Sequence, residues 1–204
     1  MLQNRVTPYG ELIKTPARGA WTGTRGIIHN DQQQIIRPFK HKAWITCLLE
    51  FKGRRRTVMS PKKYTELFFL DEATAFSAGH RPCCECRRAD FNRFKSAWLA
   101  GNPEYKFTLK TSILLIDLVL QNERIDKHNE KIFFYENFEN IPAGCFVVYN
   151  DEPHLVFNGR LHLWRPDSYT QELMPGKDEP LKVLTPRSIV QTFIAGYQPQ
   201  SVIA

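Results

Sequence analysis

The stretch ELFFLDEATAFSAGHRPCCECRR, Glu66 to Arg88, dictates more of its own local structure than any other part of this 204-residue chain. TELFFL, Thr65 to Leu70, is a short apolar run of strand character. Asp71 follows, and its carboxylate can accept the free N–H groups of a helix's first turn, while Glu72 adds negative charge at the positive end of the helix dipole. EATAFSA then reads as a short helix. Gly79 ends it, because the residue after a helix takes left-handed backbone angles that glycine adopts without strain. Pro82 stiffens the approach to Cys83-Cys84-Glu85-Cys86. Two cysteines separated by two residues form a knuckle whose backbone N–H groups can reach the thiolates, which is half of a tetrahedral zinc site. Arg87 and Arg88 supply positive charge that favours thiolate over thiol.

The order and spacing of these parts resemble the second half of the Ada-type metal-binding domain, found in bacterial sensors and repairers of alkylated DNA. The shared elements are a Phe-Phe strand (Phe68-Phe69), a short Ala-rich helix closed by Ala-Gly (Glu72 to Ala78, then Gly79), and Arg81-Pro82-Cys83-x-x-Cys86. The resemblance implies zinc bound by four cysteines in that family, with Cys83 and Cys86 in the place of the second pair. The first pair, a Cys-x-x-x-Cys upstream, is absent. One of its cysteines is the family's methyl acceptor from DNA phosphotriesters, so that activity is not implied here. Cys47 is the sole upstream cysteine and the expected third ligand; the fourth is to be chosen among His80, His41, His29 and Cys84. A metal-free knuckle with buried thiols and a redox site are the alternatives.

The chain has five cysteines, an odd number that does not suggest a disulfide framework. The N-terminus lacks an apolar leader and the longest apolar run, Ser112 to Gln121, is interrupted by Asp117, so the expected location is cytoplasmic, with no membrane partner.

Charge is unevenly placed. From Arg37 to Lys63 there are nine basic residues and one acid, Glu50, a local +8 against +7 for the whole chain, which leaves −1 for the remainder. Such a segment is an electrostatic footprint for a polyanion, DNA or RNA. Arg54, Arg55, Arg56, Lys62, Lys63, Arg87 and Arg88 are the expected phosphate contacts. Trp21, Phe39, Trp44 and Tyr64 lie in or near this segment and either stack on unpaired bases or pack in the core. In KAWITCLLEFKGRRRTVMS, Lys42 to Ser60, the alternation of Ile45, Cys47, Leu49 and Phe51 predicts a strand, with Lys52-Gly53 as a turn and RRRTVM as the returning strand of a basic hairpin.

Residues 1–40 look irregular. Their Gly- and Arg-rich piece, Ala17 to Asn30, offers a candidate catalytic set for phosphodiester chemistry: Arg18 and Arg25 for charge and His29 for proton transfer. Beyond the knuckle, Arg87 to Ala100 reads as a helix with Phe91, Phe94 and Trp98 on one buried stripe, and Ser112 to Arg124 as a second helix. From Lys131 the chain becomes β-rich. Asn158-Gly159 predicts a type I′ hairpin turn that pairs Leu155 with His162 and His154 with Leu163, so the two histidines face opposite ways. Thr185 and Pro186 open a C-terminal helix.

The expected fold is therefore α+β: an Ada-like strand–helix–knuckle half with a basic hairpin over 1–129, then a small antiparallel β-rich half with a C-terminal helix over 130–204, the boundary being soft. The expected function is nucleic-acid binding with a structural zinc knuckle. A nuclease or nucleic-acid-modifying enzyme using the Arg18/Arg25/His29 loop, and a metal-free interaction protein, are the alternatives.

Overall fold

A computed structural model describes residues 1–53 and 57–203. Among them the chain forms four α-helices and two six-stranded sheets, an α+β fold. The first sheet is built from β1 (Gln3–Val6), β2 (Leu12–Lys14), β3 (Trp21–Thr24), β4 (Ile45–Cys47), β5 (Leu67–Phe69) and β6 (Arg81–Pro82), in the order β2-β1-β5-β3-β4-β6. The β1–β5 and β4–β6 pairs are parallel and the rest antiparallel. The second sheet is antiparallel throughout. It comprises β7 (Phe134–Asn137), β8 (Phe146–Tyr149), β9 (Glu152–Phe157), β10 (Arg160–Trp164), β11 (Tyr169–Leu173) and β12 (Pro180–Val183), in the order β11-β10-β9-β8-β12-β7.

Helix α1 (Glu72–Ser77) has all six residues buried. Asp71 caps it as the sequence predicts, accepting from Thr74 N at 2.8 Å. The same carboxylate accepts from the Tyr169 hydroxyl at 2.8 Å, which joins the cap to the second sheet. Gly79 takes φ +83°, and a Cβ there would lie 2.5 Å from Cδ of Arg124, so both backbone and space demand glycine. Helix α2 (Arg88–Gly101) buries the predicted stripe of Phe91, Phe94 and Trp98. Helix α3 (Ile113–Arg124) is capped by Ser112, and α4 (Arg187–Ile194) closes the fold.

The largest core runs through both halves of the chain. Phe76, Phe94, Trp98, Ile116 and Leu120 from the first half pack with Val147, Val156, Leu161, Leu181 and Phe193 from the second. Position 129 thus lies between the two sheets, but the apolar core continues across it. Among the described residues, no helix is long and apolar enough to cross a membrane.

Three expectations need correction. Residues 1–40 contain β1, β2 and β3 rather than irregular chain. The strand expected from Lys42 shrinks to Ile45–Cys47, pairs with β3 and β6, and makes no hairpin with 57–60. Finally, Thr185 does not cap α4. Its hydroxyl accepts from Phe146 N at 2.9 Å, and Pro186 is the N-cap.

Candidate metal centre

Two backbone segments bring the cysteines together. β6 lies parallel to β4 with Ile45 opposite Arg81 and Thr46 opposite Pro82, and Cys83 N continues the ladder by donating to Thr46 O at 2.9 Å. This sets Cys83 beside Cys47, the last residue of β4. Beyond Cys83 the chain turns sharply: Glu85 N donates to Cys83 Sγ at 3.4 Å and Arg87 N to Cys83 O at 3.2 Å, and α2 begins at Arg88. The turn returns Cys86 to the same point. The sulfurs of Cys47, Cys83 and Cys86 all lie within 4.8 Å of one another, so they could hold a metal ion.

The donor set fits a soft or borderline cation. Two thiolates bound to one zinc at about 2.3 Å in tetrahedral geometry stand about 3.8 Å apart, a spacing reached here by small side-chain adjustment. Electrostatics favour the same conclusion. A hydrogen bond from the Cys47 thiol, with backbone N–H groups of Cys86 and Glu85, brings the Cys83 thiol down to about 5 against the opposing effect of burial. Cys47 is pushed up because it donates to Cys83 and is buried. Cys86 is pushed up by burial and by the neighbouring Cys83 charge, although the backbone N–H of Leu48 favours its thiolate. One thiolate forms readily and the next two resist; a dication removes that repulsion.

All three cysteines line a cleft of about 520 Å³. Part of its wall comes from the basic segment, through His41, Leu48, Leu49, Phe51 and Val58, and Tyr64 just beyond the segment also lines it. Of the proposed fourth ligands, only His41 and Cys84 line this cleft, and neither joins the three-sulfur cluster. His80 is fully buried elsewhere, with Nε2 accepting from Arg25 Nε at 3.3 Å. His29 bonds through Nδ1 to the Thr65 hydroxyl at 2.6 Å and through Nε2 to the Ser60 carbonyl at 3.2 Å.

The catalytic set does not assemble. Arg18 is exposed, Arg25 and His29 are buried, and of the three only Arg25 lines either of two cavities, the metal cleft and one on the far side of Trp44. With both ring nitrogens engaged, His29 serves the packing of the loop. Among the expected phosphate contacts, Arg87 is also withdrawn from solvent. Its guanidinium donates to Glu72 at 2.6 Å, to Asp90 at 2.9 Å and to the Thr46 hydroxyl at 2.9 Å. Lys62, Lys63 and Arg88 are exposed. Arg54, Arg55 and Arg56 lie outside the described residues. Trp21 and Trp44 are core residues, whereas Tyr64 is 53% exposed on the cleft wall.

A second cluster escapes sequence reasoning: Arg25 and Arg124 both sit against the Trp44 ring, and Lys131 lines the same cavity. A signal for it existed in α3, where Asp117, Gln121 and Arg124 recur on the same inner face as Ile116 and Leu120. Polar residues on a buried stripe mark a place where charge is put inside deliberately.

In comparisons with known proteins, no family model, no curated protein and no solved structure matches this chain.

Proposed function

We propose that the protein binds one zinc ion through Cys47, Cys83 and Cys86 in an Ada-like knuckle, and that the basic surface around this centre binds nucleic acid. The observation that carries the reading is the convergence of three thiols, from two separate segments, within 4.8 Å. Thiolates with backbone N–H donors suit zinc. The ion would tie the end of β4 to the start of α2, a structural role, and its fourth position would face the cleft.

For nucleic acid, the support is the setting of that cleft. Lys40, Lys42, Lys52, Lys62 and Lys63 are exposed on the chain segment that contributes His41, Leu48, Leu49, Phe51 and Val58 to the cleft wall, and Arg88, two residues beyond Cys86, is exposed as well. None makes an ion pair among the described residues. Phosphates would displace only water and counterions there. The exposed ring of Tyr64 offers a stacking face for an unpaired base.

Two measurements test the reading. Metal content of the purified chain should be about one zinc per molecule, the amount one three-cysteine site takes up. It should fall to background in Cys47→Ser, Cys83→Ser and Cys86→Ser. Fluorescence anisotropy with single-stranded DNA and RNA should show binding that weakens with salt, and Lys62→Ala/Lys63→Ala should lower the slope of log K against log salt by about 1.4, the value for two single-strand phosphate contacts. Zinc-free protein with an unchanged fold would reject the centre, and salt-insensitive or absent binding would reject the nucleic-acid surface.

A further inference from the structure

A second cavity, of about 670 Å³, shares no lining residue with the metal cleft. The two lie on opposite sides of the extended chain: Thr24, Ala43, Ile45 and Cys47 line the metal cleft, and Arg25 and Trp44 line the other. Four cationic side chains border this second cavity: Arg25, Arg124, Lys131 and Lys182. The carboxylates on its lining, Glu11 and Glu130, are exposed and make no ion pair with them among the described residues. The buried acid near Arg124, Asp117, is already held by Arg81 through two bonds of 2.7 Å.

The arginines differ in how they are used. Arg124 is anchored, with Nη1 donating to Gly79 O at 2.8 Å and Nη2 to Lys42 O and Gln121 Oε1, both at 2.5 Å. Arg25 is 3% exposed and donates from Nε to His80, but its Nη2 is buried with no partner. Both guanidinium carbons sit against the Trp44 ring, at 3.8 and 3.9 Å from its centroid. The backbone of Gly10, at φ +88°, lies beside Nη2: a Cβ there would stand in ordinary van der Waals contact with it, 3.6 Å away. Lys131 donates one proton to the Ser77 carbonyl and retains two. Positive charge buried without a counter-charge destabilises a fold, and well-packed apolar residues would be more stable in its place. Such charge is useful when a ligand brings the negative partner.

We propose that this cavity binds the oxyanion group of a small organic molecule, a phosphate or a carboxylate, with Arg25 Nη2 and Lys131 Nζ as its direct donors and Lys182 at its rim. Arg124 and Trp44 are positioning residues that hold Arg25 in place. The cavity exceeds the size of inorganic phosphate and falls within the range of small-molecule sites. Tyr9, Leu12, Ile35, Phe133 and Leu184 supply apolar lining for the organic body.

The test is thermal unfolding and calorimetry of the full chain with sodium phosphate, citrate or adenosine 5′-monophosphate at millimolar concentration, each against sodium chloride at equal ionic strength. At least one oxyanion should bind saturably and raise Tm by about 5 °C or more near saturation. A response to citrate alone identifies a carboxylate ligand; a response to phosphate and the monophosphate identifies a phosphate ligand. Lys131→Gln should weaken binding by about tenfold or more through loss of a charge-assisted bond. Arg25→Gln should do the same, and its fold can be checked by circular dichroism. The Lys131 ammonium is buried but part of the residue stays in contact with solvent, so its variant keeps the test decisive if Arg25→Gln unfolds. No saturable response to any of the three probes, or full affinity in Lys131→Gln, would overturn the proposal.

Discussion

The guanidinium of Arg87 and the carboxylate of Glu72 meet at 2.6 Å with both side chains closed to solvent, and this pair clamps the cysteine knuckle to the helix before it. Glu72 also accepts from the Tyr197 hydroxyl at 2.9 Å and from Gln200 N at 2.9 Å, while Arg87 lies 4.0 Å from the Trp21 ring centroid. Removing one partner leaves the other as an uncompensated buried charge. Arg87→Ala should therefore lower stability by about 3–5 kcal/mol. Its exposed neighbour is the control: Arg88→Ala should change stability by less than about 0.5 kcal/mol. Urea unfolding measures both, and equal losses would contradict the buried role of Arg87.

Metal removal should act on the same region. An ion held by Cys47 and by the Cys83/Cys86 knuckle would cross-link β4 to α2, so binding to the folded state would add stability by mass action. Chelation is expected to lower Tm by several degrees, about 2–4 °C per kcal/mol for a chain of this size. Cys84→Ser should keep both the metal and the stability, because Cys84 is exposed and outside the three-sulfur cluster. Differential scanning calorimetry with and without chelator, on both proteins, gives the answer.

What could be read from the sequence divides by how local its cause is. Asp71, Gly79, the Phe91/Phe94/Trp98 stripe and the Asn158-Gly159 turn each act within a few residues, and each lands where its chemistry puts it. The hairpin pairs Leu155 with His162 and His154 with Leu163, as the turn type requires. The strands of residues 1–40 were illegible because they are three or four residues long and gain their partners from distant chain, as when β3 pairs with β5. The alternation after Ile45 misled for a different reason. The strand stops at Cys47, and Leu48 turns its N–H to the Cys86 sulfur instead of to a neighbouring strand. The meeting of Cys47 with Cys83 and Cys86 was legible from cysteine spacing and count. Counting charge, by contrast, cannot separate Arg88 on the surface from Arg25 and Arg87 inside.

Stability should depend on pH through the cationic cavity. Burial, reinforced by the charges of Arg25 and Arg124, brings Lys131 down to about 7, and burial brings Arg25 down to about 9. An unfolded lysine titrates near 10.4. Between pH ~7 and ~10 the unfolded chain therefore binds more protons than the folded one, and this group makes stability rise with pH. Below about 7 the lysine is charged in both states and its unfavourable contribution is fully present. Lys131→Met should be more stable than the parent at pH 7 and should flatten the rise. Urea midpoints at several pH values from 6 to 10 check this, and a parent whose stability falls across that range relative to the variant would refute it.

Unfolding should be cooperative across the two halves of the chain, because Trp98 of α2 sits in a core that α1, α2 and α3 build with the second sheet and α4, and α1 joins that core to the first sheet's, with Phe76 in the one and Ala75 in the other. Trp98 is fully buried, in the same apolar cluster as Ile116 of α3, Val156 of β9, Leu181 of β12 and Phe193 of α4. Its ring also lies 5.3 Å from Tyr105 and 5.8 Å from Phe107, an aromatic group that closes the end of the helix. Trp98→Ala removes the largest side chain of this cluster and should cost about 3–5 kcal/mol. If each sheet were its own folding unit, that loss would appear in only one of them. With α1 joining the two cores, the slowest-exchanging amides of β3 and β5 and those of β9 and β10 should report the same opening free energy, and the substitution should lower both equally. Native-state hydrogen exchange on parent and variant measures this directly. Loss of protection in the second sheet with the first unchanged would show that the chain divides near residue 129 after all.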